Sequence, residues 1–188
     1  MHTPPQLHAL LAVAEGVEDL ETVTLLDVLR RAEVNTVVAS IENRRMITLA
    51  RGTRLTADAM LLDVLAQDFD LIVLPGGMPG AQRLGQHEPL GEMLRDHARA
   101  GRLFAAICAA PAMALQPFGL LRQRRMTCYP AFSDRLSGCT FVDQPVVVDG
   151  NCVTAQGPGN ALAFALTLVE KLCGKARRNE VARAMLVE

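Results

Sequence analysis

Leu103-Phe104-Ala105-Ala106-Ile107-Cys108-Ala109-Ala110-Pro111-Ala112-Met113-Ala114-Leu115 reads as a short apolar strand that stops at one cysteine and turns directly into a small-residue helix. A residue at such a strand-to-helix elbow sits on a strained turn with its side chain above the sheet. The N–H groups that open the following helix favour an anion there. Cysteine gains most from that setting, because the thiolate is its reactive form. Ala109 leaves the sulfur open to approach by a substrate or an oxidant. A buried, inert thiol is the competing reading, since free cysteines are among the most buried residues.

Outward from Cys108 the chain alternates strands and helices. Ala9–Ala14 is a continuous apolar run, as in a parallel strand buried on both faces. After Glu15-Gly16, a helix begins with acids in its first turn (Glu18, Asp19, Glu21) and ends at Arg30-Arg31. Thr36–Ile41 follows as a strand and completes a βαβ unit. Residues 47–49 and 53–55 suggest a small hairpin around Arg51-Gly52, and 58–65 a short helix. The strand 70–74 runs into Pro75-Gly76-Gly77-Met78-Pro79-Gly80, where adjacent glycines allow a close backbone approach. A helix over 89–100 then leads to the Cys108 elbow.

Beyond the elbow, Met126–Cys128 reads as a strand, followed by Tyr129-Pro130. Residues 144–149 and 152–156 flank Asp149-Gly150-Asn151 as an antiparallel hairpin. Gly157-Pro158-Gly159-Asn160 opens a helix from Ala161 to Cys173 that Gly174 closes, and 178–186 forms a last amphipathic helix. No repeat, low-complexity tract or linker divides the chain, so residues 1–188 are expected to form one domain. The pattern predicts an α/β, flavodoxin-like doubly wound sandwich, a mostly parallel sheet with helices on both faces. Sites in such sheets lie at the carboxyl ends of the strands. The chemically unusual stretches, 15–21, 75–80, 108–111, 129–130 and 156–160, all fall there.

Composition narrows the function. The 19 basic and 20 acidic residues nearly cancel, so neither nucleic acid nor an anionic membrane is expected as the main partner. With no Trp and one Tyr, a base-stacking platform is also disfavoured. The five cysteines are odd in number and lack C-x-x-C spacing, which suggests neither a disulfide framework nor a metal site. The start Met1-His2-Thr3-Pro4-Pro5 has no basic segment, and the apolar run 7–14 is too short to cross a bilayer. A cytoplasmic protein without cofactor is the expectation.

Four motifs together resemble the ThiJ/PfpI superfamily. They are Ala14-Glu15-Gly16-Val17-Glu18-Asp19-Leu20-Glu21, Val73-Leu74-Pro75-Gly76-Gly77, Ala105-Ala106-Ile107-Cys108-Ala109-Ala110-Pro111 and Gln156-Gly157-Pro158-Gly159. The likeness is greatest to the Parkinsonism-associated deglycase branch and its bacterial YajL-type members. It implies a flavodoxin-like homodimer with Cys108 as nucleophile and Glu21 as the carboxylic acid beside it. A carboxyl in such a pocket has a raised pKa, stays protonated and donates to the sulfur, which would stabilise the thiolate. The resemblance further implies an oxyanion hole from the Gly77 and Ala109 N–H groups. It puts Glu18, Tyr129, Gly157 and Pro158 on the site rim, and Arg31 and Arg51 in an anion site near the dimer interface. For the two arginines, simple surface solvation competes equally.

Two departures stand out. Proteases and some amidases of the superfamily carry His directly after the nucleophile, where this chain has Ala109. A second branch has His before the proline of the Tyr129-Pro130 motif, and a phenol titrating near pH 10 is a poor base at neutral pH. His2, His8, His87 and His97 lie in no motif and read as surface residues. The expected activity is glyoxalase- or deglycase-like, a hydrolase or lyase acting on methylglyoxal-type α-oxoaldehydes or their early protein or nucleotide adducts. The alternative is a non-catalytic, redox-responsive chaperone or sensor that uses oxidation of Cys108. On either reading Cys108 should be the most oxidisable of the five cysteines.

Overall fold

The computed structural model describes residues 6–187; the surface reading of His2 lies outside them. The first apolar run forms β1 (His8–Val13), in which Ala9 to Val13 are fully buried. Helix α1 (Asp19–Arg31) follows, its first turn capped by the Glu18 carboxylate, which accepts the Glu21 N–H at 2.8 Å. Next come β2 (Asn35–Ser40) and the antiparallel hairpin β3 (Met46–Thr48) and β4 (Arg54–Thr56), as the turn sequence foretold.

The helix expected over 58–65 does not form. Instead β5 (Ala59–Met60) pairs with the end of β2, and a single 3₁₀ turn covers Leu61–Asp63. Asp58 decides this outcome. Its N–H donates to the Val38 carbonyl and its carboxylate accepts the Val38 N–H, both at 2.9 Å, so edge pairing captures the segment.

Strand β6 (Leu71–Leu74) is followed by α2 (Gly80–Gly85), a short helix that its glycines conceal in the sequence. Helix α3 (Glu88–Arg99) buries Leu90, Leu94 and His97 on one stripe. His97 is therefore not a surface residue: it is 5% exposed, and its Nε2 lies 2.8 Å from the Leu103 carbonyl. Strand β7 (Leu103–Ile107) ends at Cys108, and residues 111–115 form one wide π-helical turn.

The short strands β8 (Arg125–Met126) and β9 (Thr140–Phe141) pair in parallel beside the main sheet. Strands β10 (Val146–Asp149) and β11 (Cys152–Ala155) make the expected hairpin. The chain closes with α4 (Ala161–Ala184), broken at Gly174, where φ is 84° and ψ 167°. The seven-stranded sheet has the order β10-β11-β7-β6-β1-β2-β5, parallel except for the edge strand β10. Helices flank it, with α1 packed on α4 and α3 on β7. The order β2-β1-β6-β7-β11 is that of a flavodoxin-like sheet, whose direction of winding reverses beside β1. The loops after β1, β6 and β7 meet there. No helix among the described residues is long and apolar enough to cross a membrane.

Candidate active site

Cys108 occupies the elbow with φ 63°, a left-handed conformation that non-glycine residues adopt at a cost of about 1–2 kcal/mol. Two backbone bonds hold it there. Its N–H donates to the Ala155 carbonyl at 2.9 Å, and its carbonyl accepts the Tyr129 N–H at 2.8 Å. The side chain lies at the carboxyl end of the sheet with only 8% of the residue exposed.

Glu21 approaches the sulfur from the first turn of α1 and is fully buried. Its Oε2 accepts the Gly76 N–H at 2.7 Å, Oε1 is buried without a hydrogen-bond partner, and the carboxyl lies within the influence of the Cys108 thiol. Burial pushes the Glu21 carboxyl from 4.5 to about 7, against the pull of the Gly76 N–H and the thiol. The carboxyl thus changes protonation near neutrality.

Gly76 and Gly77 make this approach possible. A Cβ on Gly76 would lie 2.5 Å from the Cys108 Cβ and 2.9 Å from the Glu21 Oε2. Gly77 has φ 84°, and its Cβ would lie 2.5 Å from the Glu18 nitrogen. The Gly77 and Ala109 N–H groups lie close enough to the Cys108 sulfur to ease its ionisation. The two groups expected to form an oxyanion hole are therefore brought together at the nucleophile.

The thiol differs from the poised thiolate expected from the sequence. Burial, then the charge of Glu21, push the Cys108 pKa from 9.0 to about 12, and the two N–H donors only partly offset them. A thiol and a carboxyl share one buried space here, and the second negative charge is the costly one. Of the five cysteines, Cys108 alone has its ionisation eased by the N–H groups of two other residues.

A model of the DJ-1/PfpI family matches residues 8–171. The chain belongs to that family. A DJ-1/PfpI relative, the Arabidopsis thaliana protein DJ-1 homolog B, is 43% identical over 95% of this chain, which covers only 41% of that protein. The chain likewise spans less than half of Arabidopsis DJ-1 homolog A. The crystal structure of Drosophila melanogaster DJ-1beta superposes with a TM-score of 0.95 at 37% identity, covering 98% of this chain and all of that one. A Caenorhabditis elegans relative, glutathione-independent glyoxalase DJR-1.2, is 33% identical over 94% of each chain.

The remaining DJ-1/PfpI positions fall as follows. Glu18 caps α1 and donates its own N–H to the Gly76 carbonyl at 2.9 Å, so it ties two site loops together. Tyr129 stands exposed beside the elbow, its ring against Gly157, where a Cβ would come within 3.3 Å of Cδ2. Pro158 starts the turn that leads into α4.

The two arginines are not brought together within one chain. Arg31 closes α1 and pairs with Asp27 at 2.8 Å. Arg51 sits at the other end of that helix, where its N–H donates to Asp19 at 2.7 Å. Among the described residues no cluster of side chains suits a metal ion. Sequence reasoning missed Glu42 and Arg83, which brace these loops from outside. Their ion pair joins distant segments and leaves no local pattern.

Proposed function

We propose that this protein is a cysteine-dependent enzyme of carbonyl-stress defence acting on methylglyoxal-type α-oxoaldehydes or their early adducts. One observation carries the reading: the fully buried Glu21 carboxyl, held by the Gly76 N–H and raised by its burial, is set beside the Cys108 thiol on a left-handed elbow. As the Cys108 sulfur bonds to the aldehyde carbon, the Glu21 carboxylate takes the thiol proton and the carbonyl oxygen becomes an alkoxide. The Gly77 and Ala109 N–H groups, released from sulfur, stabilise that oxygen until it receives the proton. Glu21 then removes hydrogen from the aldehyde carbon and returns a proton to the neighbouring carbon, converting the hemithioacetal into a 2-hydroxy thioester. Water cleaves the thioester to a hydroxy acid, lactate for methylglyoxal, and restores the thiol. No metal or redox cofactor is needed for the balance.

Lactate release from methylglyoxal, measured after removal of contaminating glyoxalases, tests this. Cys108→Ser and Glu21→Gln should each lose at least about a hundredfold in turnover. In the wild type the rate should rise through pH 7 as Glu21 loses its proton. Undiminished lactate release by Cys108→Ser would refute the proposal.

The ring of two N–H groups and a carboxyl around one sulfur also favours a second reading, a redox sensor that holds Cys108 as a sulfinate. In that case Cys108→Ser would abolish the oxidation response while the wild type releases no lactate. Either role suits a cytoplasmic homodimer.

A further inference from the structure

Two loops carry the groups around Cys108. The loop after β1 leads to Glu18 and Glu21, and the loop after β6 holds Gly76 and Gly77. They are pressed together without slack. The Gly80 N–H donates to the Gly16 carbonyl at 3.3 Å, and a Cβ on Gly80 would lie 2.3 Å from the Val17 nitrogen. A side chain remote from the sulfur spans both. The Glu42 carboxylate, just past β2, accepts the Glu15 N–H at 3.0 Å through Oε1. The same carboxylate takes both arms of the Arg83 guanidinium on α2, at 2.8 and 2.6 Å.

The Glu42 side chain is only 13% exposed, and its pKa is lowered chiefly by the Arg83 hydrogen bonds. Arg83 is half exposed at 46%, but its two-pronged grip on a shielded carboxylate fixes geometry better than a single-bonded surface ion pair. Glu15 extends the brace, since its carboxylate accepts the Thr48 N–H at 3.0 Å and an Arg44 nitrogen at 2.7 Å.

We propose that Glu42, through Arg83 and the Glu15 N–H, is a positioning residue that locks the two loops so that the Gly77 N–H and Glu21 bear on Cys108. Glu42 touches neither substrate nor sulfur. Its effect passes through the backbone from Glu15 to Glu18 on one side and from α2 back to Gly77 on the other. The proposal rests on Cys108 as the reactive centre but not on any particular substrate.

The test is the rate of Cys108 alkylation by iodoacetamide across pH, followed by intact mass together with peptide mapping. Glu42→Ala removes the acceptor and the ion pair, so the sulfur loses fixed donors. Its alkylation at pH 8 should slow about tenfold, a fraction of what deleting a fixed donor outright costs. Glu42→Gln keeps a carbonyl for the Glu15 N–H and should stay within about threefold of wild type. Thermal unfolding of each variant is recorded alongside. A wild-type alkylation profile in Glu42→Ala overturns the proposal, whatever its melting temperature.

Should Glu42→Ala fail to fold, Arg83→Met decides instead. It removes only the guanidinium, and an unchanged alkylation profile there overturns the proposal equally. Lactate release is then compared, with kcat expected to fall more than KM rises. Absence of turnover in the wild type would sink the glyoxalase reading and leave the alkylation result standing.

Discussion

Glu21 and Cys108 pose one question at the scale of single residues: where the shared proton sits. The sequence suggested that Glu21 would hold a proton and favour the thiolate. Burial raises the carboxyl to about 7, so near neutrality Glu21 holds its proton only part of the time. The thiol moves up as well, to about 12, first through burial and then because above pH 7 it must ionise beside a carboxylate. Like charges at contact in a desolvated site disfavour the second ionisation. Glu21→Gln removes that charge while its amide carbonyl still accepts the Gly76 N–H. The Cys108 pKa should therefore fall by about one to two units in Glu21→Gln, as measured by thiolate absorbance. Turnover should fall at the same time, since the general base is gone. An unchanged or higher thiol pKa would show that burial alone sets it.

At the scale of elements, three chain ends converge on one point: the start of α1, the end of β6 and the end of β7. Glycine lets them meet. Gly76 needs no left-handed backbone, so the effect of a methyl group there is purely one of space. In Gly76→Ala the new Cβ would meet the Cys108 Cβ at 2.5 Å and the Ile107 carbonyl at 2.8 Å. Overpacking of this kind costs about 1–3 kcal/mol. Misplacing reacting groups by about 1 Å costs on the order of a hundredfold in rate. Gly76→Ala should therefore keep its circular dichroism, melt earlier and lose about a hundredfold in lactate release. Near-wild-type turnover would mean the loop after β6 is free to retreat. These elements differ in how legible they were. The Cys108 elbow could be read because an apolar strand, a cysteine and small helix residues are contiguous. Glu21 needed the family resemblance, since nothing local links positions 21 and 108. Strands β5 and β9 and helix α2 are too short to carry a hydrophobic period, and long-range pairing decides them. The inward turn of His97 follows the Leu90–Leu94 stripe, a cue outweighed by its polarity.

At the scale of the whole molecule, the outer face of α1 presents apolar side chains to solvent. Helix α1 buries Leu25, Val28 and Leu29 against the core, yet Leu20 and Val23 remain 52% and 49% exposed. They line a hollow of about 440 Å³ with Thr24, Asp27, Leu162 and Met185, beside Pro158 and Gly159. This apolar surface borders the rim of the site, and a second copy of the chain is the occupant proposed for it. A two-fold contact through α1 would set the helices antiparallel, so each residue meets its complement on the other copy. It would also unite what one chain keeps apart, with Arg31 of one copy approaching Arg51 of the other. Such a pair of guanidinium groups would form the anion site expected from the resemblance. Sedimentation of the wild type at micromolar concentration should therefore show a dimer. Leu20→Lys puts like charges in a face that must desolvate, and the same experiment should show monomer with the fold retained. A wild type that sediments as a monomer at tens of micromolar would remove both the interface and the joint anion site.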